Sequence, residues 1–387
     1  MGLDEARLDD VEALALGDSR QVLRALATAG AQVREAVTLA TEAGADRFGA
    51  GDRPRSVLVA SLGGSALVGD VLGLLAGPGS PVPFSVRRNL PLPGWVGPLD
   101  LVVAVSLSGR AAGPLALAAE AARRGATLLT VGADDSPLAA VSRQARGTHV
   151  PVGRGRTSSR TALWSLLVPV LVAAGSMGLV DVPPSAFTTT ADRLDEVADA
   201  ARPSSESFVN PAKVLAVELA GSVPVVLGDG DLAGVAAQRA AAMLSRTART
   251  PAVWGELPDD ASQVVAAFDG PLTAAGSGGS AVDDLFADPF LDGEAAPRLR
   301  LLLLRDALPD PMTPTAVAAA RLADAVKMTA EDAGVKVSEQ VALPGHALAR
   351  LAGLVALTDF ASAYLALGQG FDPAVSAHLA DLRDATG

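Results

Sequence analysis

Along this chain, short unbroken apolar runs alternate with longer stretches in which apolar residues return every three to four positions. In the first half, "SVLVAS", "VPFSVRRN", "LDLVVAVS", "ATLLTVGA" and "THVPVG" read as strands. Between them, "ALVGDVLGLLAG", Ala111 to Arg124 and "SPLAAVSRQA" read as helices. The strands are continuous apolar runs, which predicts a parallel sheet covered by helices on both faces. Ahead of them, Asp4 to Ala43 has helical spacing and predicts two helices, the second spanning Arg20 to Ala43, followed by a loop, "GADRFGAGDRPR". The pattern weakens between Met177 and Pro211, where a polar helix and a loop are expected. It then restarts with strands at "VPVVLGDG", "TPAVWGEL", "RLRLLLLRD" and "VKVSEQVAL". Helices are expected over Leu232 to Arg246, "SQVVAAF", "TPTAVAAARLADAVKMTAEDAG" and Arg350 to Ala366. The Gly-, Ser- and Asp-rich stretch 271–298 reads as a solvated insertion. The expected division is a helical segment over 1–55, an α/β domain over 56–180, a linker over 181–210 and a second α/β domain over 211–387.

Composition narrows the partners. The 387 residues carry a formal net charge of −12, which disfavours polyanions, so neither nucleic acid nor a membrane surface is expected as a partner. No run of about 18 uninterrupted apolar residues is present, and "MGLDEARLDD" does not read as a leader, so a cytoplasmic protein is expected. Aromatic residues are 3%, so the core must be built from Ala, Val and Leu. The absence of cysteine excludes disulfides, thiolate zinc sites and a thiol nucleophile. With three histidines and no clustered ligand spacing, neither a metal nor another cofactor is expected. Lys213, Lys327 and Lys336 are the only lysines, read as codon bias.

Ligands of open parallel sheets sit at the carboxyl ends of strands. Two loops fall there. One holds Gly63, Gly64 and Ser65; the other, "SLSG", holds Ser106, Ser108 and Gly109. Each follows a strand and opens a helix, whose first N–H groups favour an anion. A serine in such a place also serves as an ordinary helix cap. Two such loops on neighbouring strands favour an anion site.

These residues carry a resemblance. "GGSALVGD" followed by "VSLSG" resembles the sugar isomerase (SIS) domain family, and more narrowly its bifunctional phosphoglucose/phosphomannose isomerases. The likeness continues through "SSRTALWSLLVPVL", where Arg160 matches a substrate-contacting arginine, then "NPAKVLAVELAGSVPVVLGDGDLAGVAAQR" and "TDFASAYLALGQGFDPAVSAHLADLR". The resemblance implies two flavodoxin-like SIS domains, a phosphorylated sugar as ligand, aldose–ketose isomerisation as the family reaction and a homodimer. The apolar helix "LARLAGLVALTDFASAYLALG", hydrophobic on more than one face, is a second motive for the dimer.

The family's proton-transfer groups are replaced. Where the family has a glutamate in an "NENAK"-like stretch, this chain has "SRTAR", with Arg246, and an arginine is no base at neutral pH. Ser262 stands at the family's histidine, Arg383 at its C-terminal lysine and Ala111 at its phosphate-loop threonine. Glu256, Asp259 and Asp260 are substitute carboxylates, or else a solvated acidic loop. His346 and His378 are candidates for ring opening, or surface and capping histidines, and His149 reads as structural. The turn with Gly228, Gly230 and Gly234 resembles a nucleotide-binding glycine turn, but Asp229 and Asp231 would oppose a pyrophosphate. The expected protein binds a phosphosugar through Gly63, Gly64, Ser65, Ser106, Ser108, Gly109, Arg160 and Arg246. It is either a weakened isomerase or a non-catalytic sensor, with a nucleotide-binding oxidoreductase as a third reading.

Overall fold

A computed structural model describes residues 3–51, 53–77, 79–273, 298–309 and 311–386; most of the expected insertion over 271–298 lies outside the described residues. The chain forms two compact units. One comprises Ala27–Asp195 with His346–Ala349; the other comprises Met1–Leu26, Glu196–Gly345 and Arg350–Gly387.

The first unit is built on strands β1 (Val57–Ser61), β2 (Phe84–Arg87), β3 (Leu101–Ser106), β4 (Thr127–Gly132) and β5 (Thr148–Pro151). All pair in parallel, in the order β2-β1-β3-β4-β5. Every residue of β1 and β3 is buried, as their β-branched apolar runs require when helices cover both faces. On one face Leu58, Ala60, Val102, Ala104 and Leu128 pack with Leu117 and Ala121 of α6 (Ala112–Arg123) and Leu138 of α7 (Pro137–Gln144). Helices α4 (Ala29–Glu42), α5 (Leu67–Ala76) and α8 (Leu163–Ser176) also belong to this unit. Gln32 of α4 donates to the Thr161 carbonyl at 2.7 Å and accepts from Ser165 at 3.3 Å, which ties α4 to the start of α8.

The second unit holds β6 (Ser222–Asp229), β7 (Val253–Leu257), β8 (Arg298–Arg305) and β9 (Lys336–Val341), parallel and in the order β7-β6-β8-β9. Among the described residues, the progression repeats that of the first sheet without a fifth strand. Val225, Leu227, Leu301 and Leu303 face Phe268, Ala323 and Val326 across one layer. Its helices are α1 (Glu5–Asp9), α2 (Val11–Gly17), α3 (Val22–Ala27), α10 (Pro211–Leu219), α11 (Asp231–Arg246), α12 (Ala261–Ala267), α13 (Pro314–Asp332), α14 (Ala347–Gly368) and α15 (Ala377–Thr386), with α14 starting in the other unit.

Several expectations are corrected. The N-terminal stretch forms not two helices but four: α1 (Glu5–Asp9), α2 (Val11–Gly17), α3 (Val22–Ala27) and α4. Aspartates that fit the polar face of a long helix act instead as breaks. Asp10 accepts from the N–H groups of Glu12 and Ala13, and Asp18 from those of Val22 and Leu23, so each starts a new helix. The expected loop after them contains a 3₁₀ turn, Ala45–Ala50. The polar helix expected between Met177 and Pro211 is α9 (Pro184–Ala200). Helix α15 follows the helix expected to be the last long one. Lys213 is no accident of codon usage. Its buried ammonium donates to the carbonyls of Pro203 (2.9 Å) and Ser205 (2.7 Å), lies 3.5 Å from Asp9, and sits 5.5 Å from the Tyr364 ring centroid. Burial pushes its pKa down.

Helix α14 is long and apolar enough to cross a membrane by length and composition, yet 89% of its most apolar window is buried. Phe360, Tyr364 and Leu367 are within 2% of full burial. Its apolarity on several faces is therefore used inside the chain and no longer argues for a dimer. Asp359, within it, pairs bidentately with Arg239 of α11 at 3.0 and 2.9 Å.

Candidate functional site

In the first sheet the chain leaves β1 toward β2 on one side and then crosses to β3 on the other, so the strand order reverses between β1 and β3. The carboxyl ends of these two strands flank the crevice in which open α/β sheets bind ligands. The two loops singled out from sequence are the ones that meet there.

Among the described residues, helices α5, α6, α7 and α8 start at this edge. Of these, α7 has a side-chain cap, from Ser136, which accepts from Ala139 N–H at 3.2 Å. The N-cap residues of α5, α6 and α8 are Ala66, Ala111 and Ala162, and none of the three has a side-chain cap. Alanine supplies no acceptor, so the first N–H groups of α6 and α8 stay available to an anion, whereas α5 runs on from the 3₁₀ turn Gly63–Ser65, where Leu62 N–H meets the Ser65 hydroxyl at 3.4 Å.

The three serines differ in how they are engaged. Ser65, 3% exposed, donates to the Leu62 carbonyl at 2.9 Å and so closes its own turn. Ser106 is buried and accepts from Ala111 N–H at 3.4 Å; Ser108 is exposed and accepts from Arg110 N–H at 3.3 Å. Neither of these hydroxyl protons has an acceptor among the described residues. Gly109, at φ +62°, lies where an added Cβ would be 2.1 Å from Ser136 Oγ, so the "SLSG" turn is locked against the cap of α7. An added Cβ at Gly64 would lie 2.5 Å from Ser159 Oγ and 3.3 Å from Arg160 N, so the first loop runs against the segment that carries Arg160. Gly63 is exposed in the same turn.

Other residues at this edge escaped the sequence reading. Arg88 follows β2; its carbonyl packs against Gly113 in the first turn of α6, and its charge opposes the rise that burial imposes on the pKa of Asp70 in α5. Ser61, the last residue of β1, has a buried hydroxyl with no partner among the described residues. The same carboxyl-end rule that marked the loops would have marked Arg88.

The second sheet has the opposite character at its carboxyl edge. Glu256, at the end of β7, lies over the first turn of α11, with Oε2 2.3 Å from where a Gly234 Cβ would stand. Burial first, then the charges of Asp231, Asp259 and Asp260, raise its pKa above the ordinary glutamate value. Asp260 is engaged locally, accepting from Glu256 N–H at 2.8 Å, and Asp259 is exposed. Asp229 is raised by burial even though Arg305 lies 3.2 Å away. Arg305 is shared with Asp324 and Glu339, and Lys327 also pairs with Glu339. This acidic edge surrounds the Gly228–Gly230–Gly234 turn and repels a pyrophosphate there.

The remaining candidates are placed as follows. Arg246 is exposed in the last turn of α11, away from the carboxyl edge of its own sheet, and Ser262 is exposed in the first turn of α12. His346 Nδ1 accepts from Leu348 N–H at 3.1 Å, so its Nε2–H donates to the Asp181 carbonyl at 2.9 Å. Both ring nitrogens are thus engaged at the start of α14. His149 lies 2.8 Å from the Thr130 hydroxyl, and burial lowers its pKa. His378 is fully exposed, 3.9 Å from Asp381. The side chain of Arg383 lies outside the described residues.

Residues 208–385 match the family described as the bacterial phospho-glucose isomerase C-terminal SIS domain. That stretch, a little under half of the chain, is similar to an SIS domain. A bifunctional phosphoglucose/phosphomannose isomerase of Caldicellulosiruptor bescii is 26% identical to it over 198 residues, spanning 51% of this chain and 57% of that protein. The match therefore covers little more than half of the relative's length. Among solved structures, a hypothetical protein of Thermus thermophilus has a TM-score of 0.68 at 16% identity, covering 98% of this chain and 94% of that one. A candidate phosphosugar isomerase of Silicibacter pomeroyi has a TM-score of 0.59 at 19% identity, covering 91% and 99%. At these identities the structural likeness shows the shared α/β fold.

Proposed function

We propose that this SIS protein binds a phosphorylated sugar, with the phosphate in the β1/β3 crevice, and that it turns hexose 6-phosphates over slowly or not at all. The observation that carries the reading is that the hydroxyl protons of Ser106 and Ser108, beside the uncapped start of α6, meet no acceptor among the described residues. Arg160 and Arg88, carried on the neighbouring segments, add positive charge for a dianion. Isomerisation moves a proton between C1 and C2 and needs a base. Arg246 and Ser262, at the positions that match the family's glutamate and histidine, supply none, and the engaged ring of His346 is poorly suited to open a sugar. A non-catalytic phosphosugar sensor is the form of this reading that the replaced residues favour. Glu256, whose pKa is raised, is the carboxylate that any residual turnover would use. The acidic second edge speaks against the nucleotide-binding reading. The resemblance also supports a cytoplasmic homodimer, checked by light scattering at micromolar concentration. The functional test pairs calorimetric titration of fructose 6-phosphate with a coupled assay for glucose 6-phosphate formation. Binding without turnover is expected; no binding contradicts the reading.

A further inference from the structure

At the opposite end of the first sheet, a cleft of about 500 Å³ opens across the amino ends of β3, β4 and β5. Its size falls in the range of small-molecule sites. The length of β3 separates it from Ser106 by about 17 Å at the usual strand rise. Phe48, Leu101, Leu128 and Met177 give it an apolar floor, and Leu101 and Leu128 are each 1% exposed. Arg47, Arg53 and Arg146 line it, and no aspartate or glutamate is among its described lining residues. None of the three guanidinium groups makes a hydrogen bond or ion pair among the described residues.

Ordinary structural duties do not engage these arginines. Helices α4, α7 and α8 end near this cleft, and cations commonly complement helix C-termini. Here backbone N–H groups close those ends: Gly44 bonds to Thr41, Gly147 to Ser142 and Leu179 to Ala174. Asp100, at the start of β3, is already held by Arg55 at 3.0 and 2.6 Å and by Ser56 at 2.7 Å. Three exposed cations that pair with no described residue line one cleft, in a chain of net charge −12. An anionic group satisfies them, and the floor beneath them suits an apolar or aromatic body.

We propose that this cleft is a second ligand site, separate from the β1/β3 crevice, for an organic phosphate with an aromatic or apolar body. The arginines bind the phosphate, and the body packs on Phe48, Leu128 and Met177.

Calorimetric titration with phenyl phosphate and with inorganic phosphate tests it. Phenyl phosphate is expected to bind more tightly than inorganic phosphate, because only the former covers the floor. The Arg53→Ala/Arg146→Ala variant is expected to lose at least about tenfold in phenyl phosphate affinity, the loss of one charged hydrogen bond or more, with fructose 6-phosphate affinity unchanged. The Ser106→Ala/Ser108→Ala variant is expected to bind phenyl phosphate as the parent does. Should the double arginine variant fail to fold by circular dichroism, Arg47→Ala takes its place. The proposal is overturned by no phenyl phosphate binding, by no preference over inorganic phosphate, by arginine variants that bind normally, or by loss of binding in the serine variant.

Discussion

Replacing Ser106 and Ser108 together by alanine separates anion binding from stability, whereas Ser65→Ala does the reverse. Ser106 and Ser108 only accept weak backbone bonds, at 3.4 and 3.3 Å, so their O–H protons remain for a ligand. A hydrogen bond to a charged group contributes about 1.5–3 kcal/mol. Ser108 is exposed and its share is at the low end, because water competes. The pair then contributes about 3–4.5 kcal/mol, or about 150- to 2000-fold in Kd. Loss of the two long bonds costs the fold less than about 1 kcal/mol. Ser65 already donates to the Leu62 carbonyl at 2.9 Å, so its removal loses one bond of that turn and costs about 0.5–1.5 kcal/mol of stability, with Kd changing less than about threefold. Calorimetry with fructose 6-phosphate reads the affinities, and urea unfolding reads the stabilities. Unchanged affinity in the double variant, or a larger affinity loss in Ser65→Ala than in the double variant, refutes the assignment.

Asp359→Ala leaves Arg239 buried without its carboxylate and should destabilise the protein by about 3–5 kcal/mol in urea unfolding; a loss below about 1 kcal/mol contradicts the pairing. Gly64→Ala forces its new Cβ onto Ser159 and should cost about 1–3 kcal/mol while weakening phosphosugar binding; unchanged melting and unchanged Kd would show that the two loops do not abut. Glu256 has a raised folded pKa, so the stability it contributes is complete below its ordinary value of 4.5 and is lost as pH rises through the folded value. Glu256→Gln should therefore gain stability over the parent as pH rises from about 4.5 to about 7.5; equal melting differences at both pH values would count against the acidic cluster.

All nine described strands were legible in the sequence, because unbroken runs such as "LDLVVAVS" have few alternatives to a buried parallel strand. The loops of the candidate site stand out for a related reason: the carboxyl-end rule needs only a strand, a glycine or serine turn and a helix. What escaped depends on tertiary partners. Asp10 and Asp18 fit a helical face as well as a cap, and only the N–H groups they meet decide between the two. Helix α14 reads as a candidate dimer face until its neighbours are seen to cover it. Lys213 is anonymous in sequence, since its carbonyl partners, Pro203 and Ser205, lie on a loop that folds back over it. That Ser65 donates its proton while Ser106 and Ser108 only accept follows from local backbone geometry that no motif records.

The most direct test is a ³¹P NMR titration of fructose 6-phosphate with the purified protein, which reads binding and conversion in one sample. Binding at the β1/β3 crevice without a proton-transfer base predicts a broadened or shifted phosphate resonance and no growth of a glucose or mannose 6-phosphate signal over hours. An unperturbed resonance contradicts the binding site. Conversion at the rate of an ordinary enzyme, with kcat near about 10 s⁻¹, contradicts the loss of catalysis.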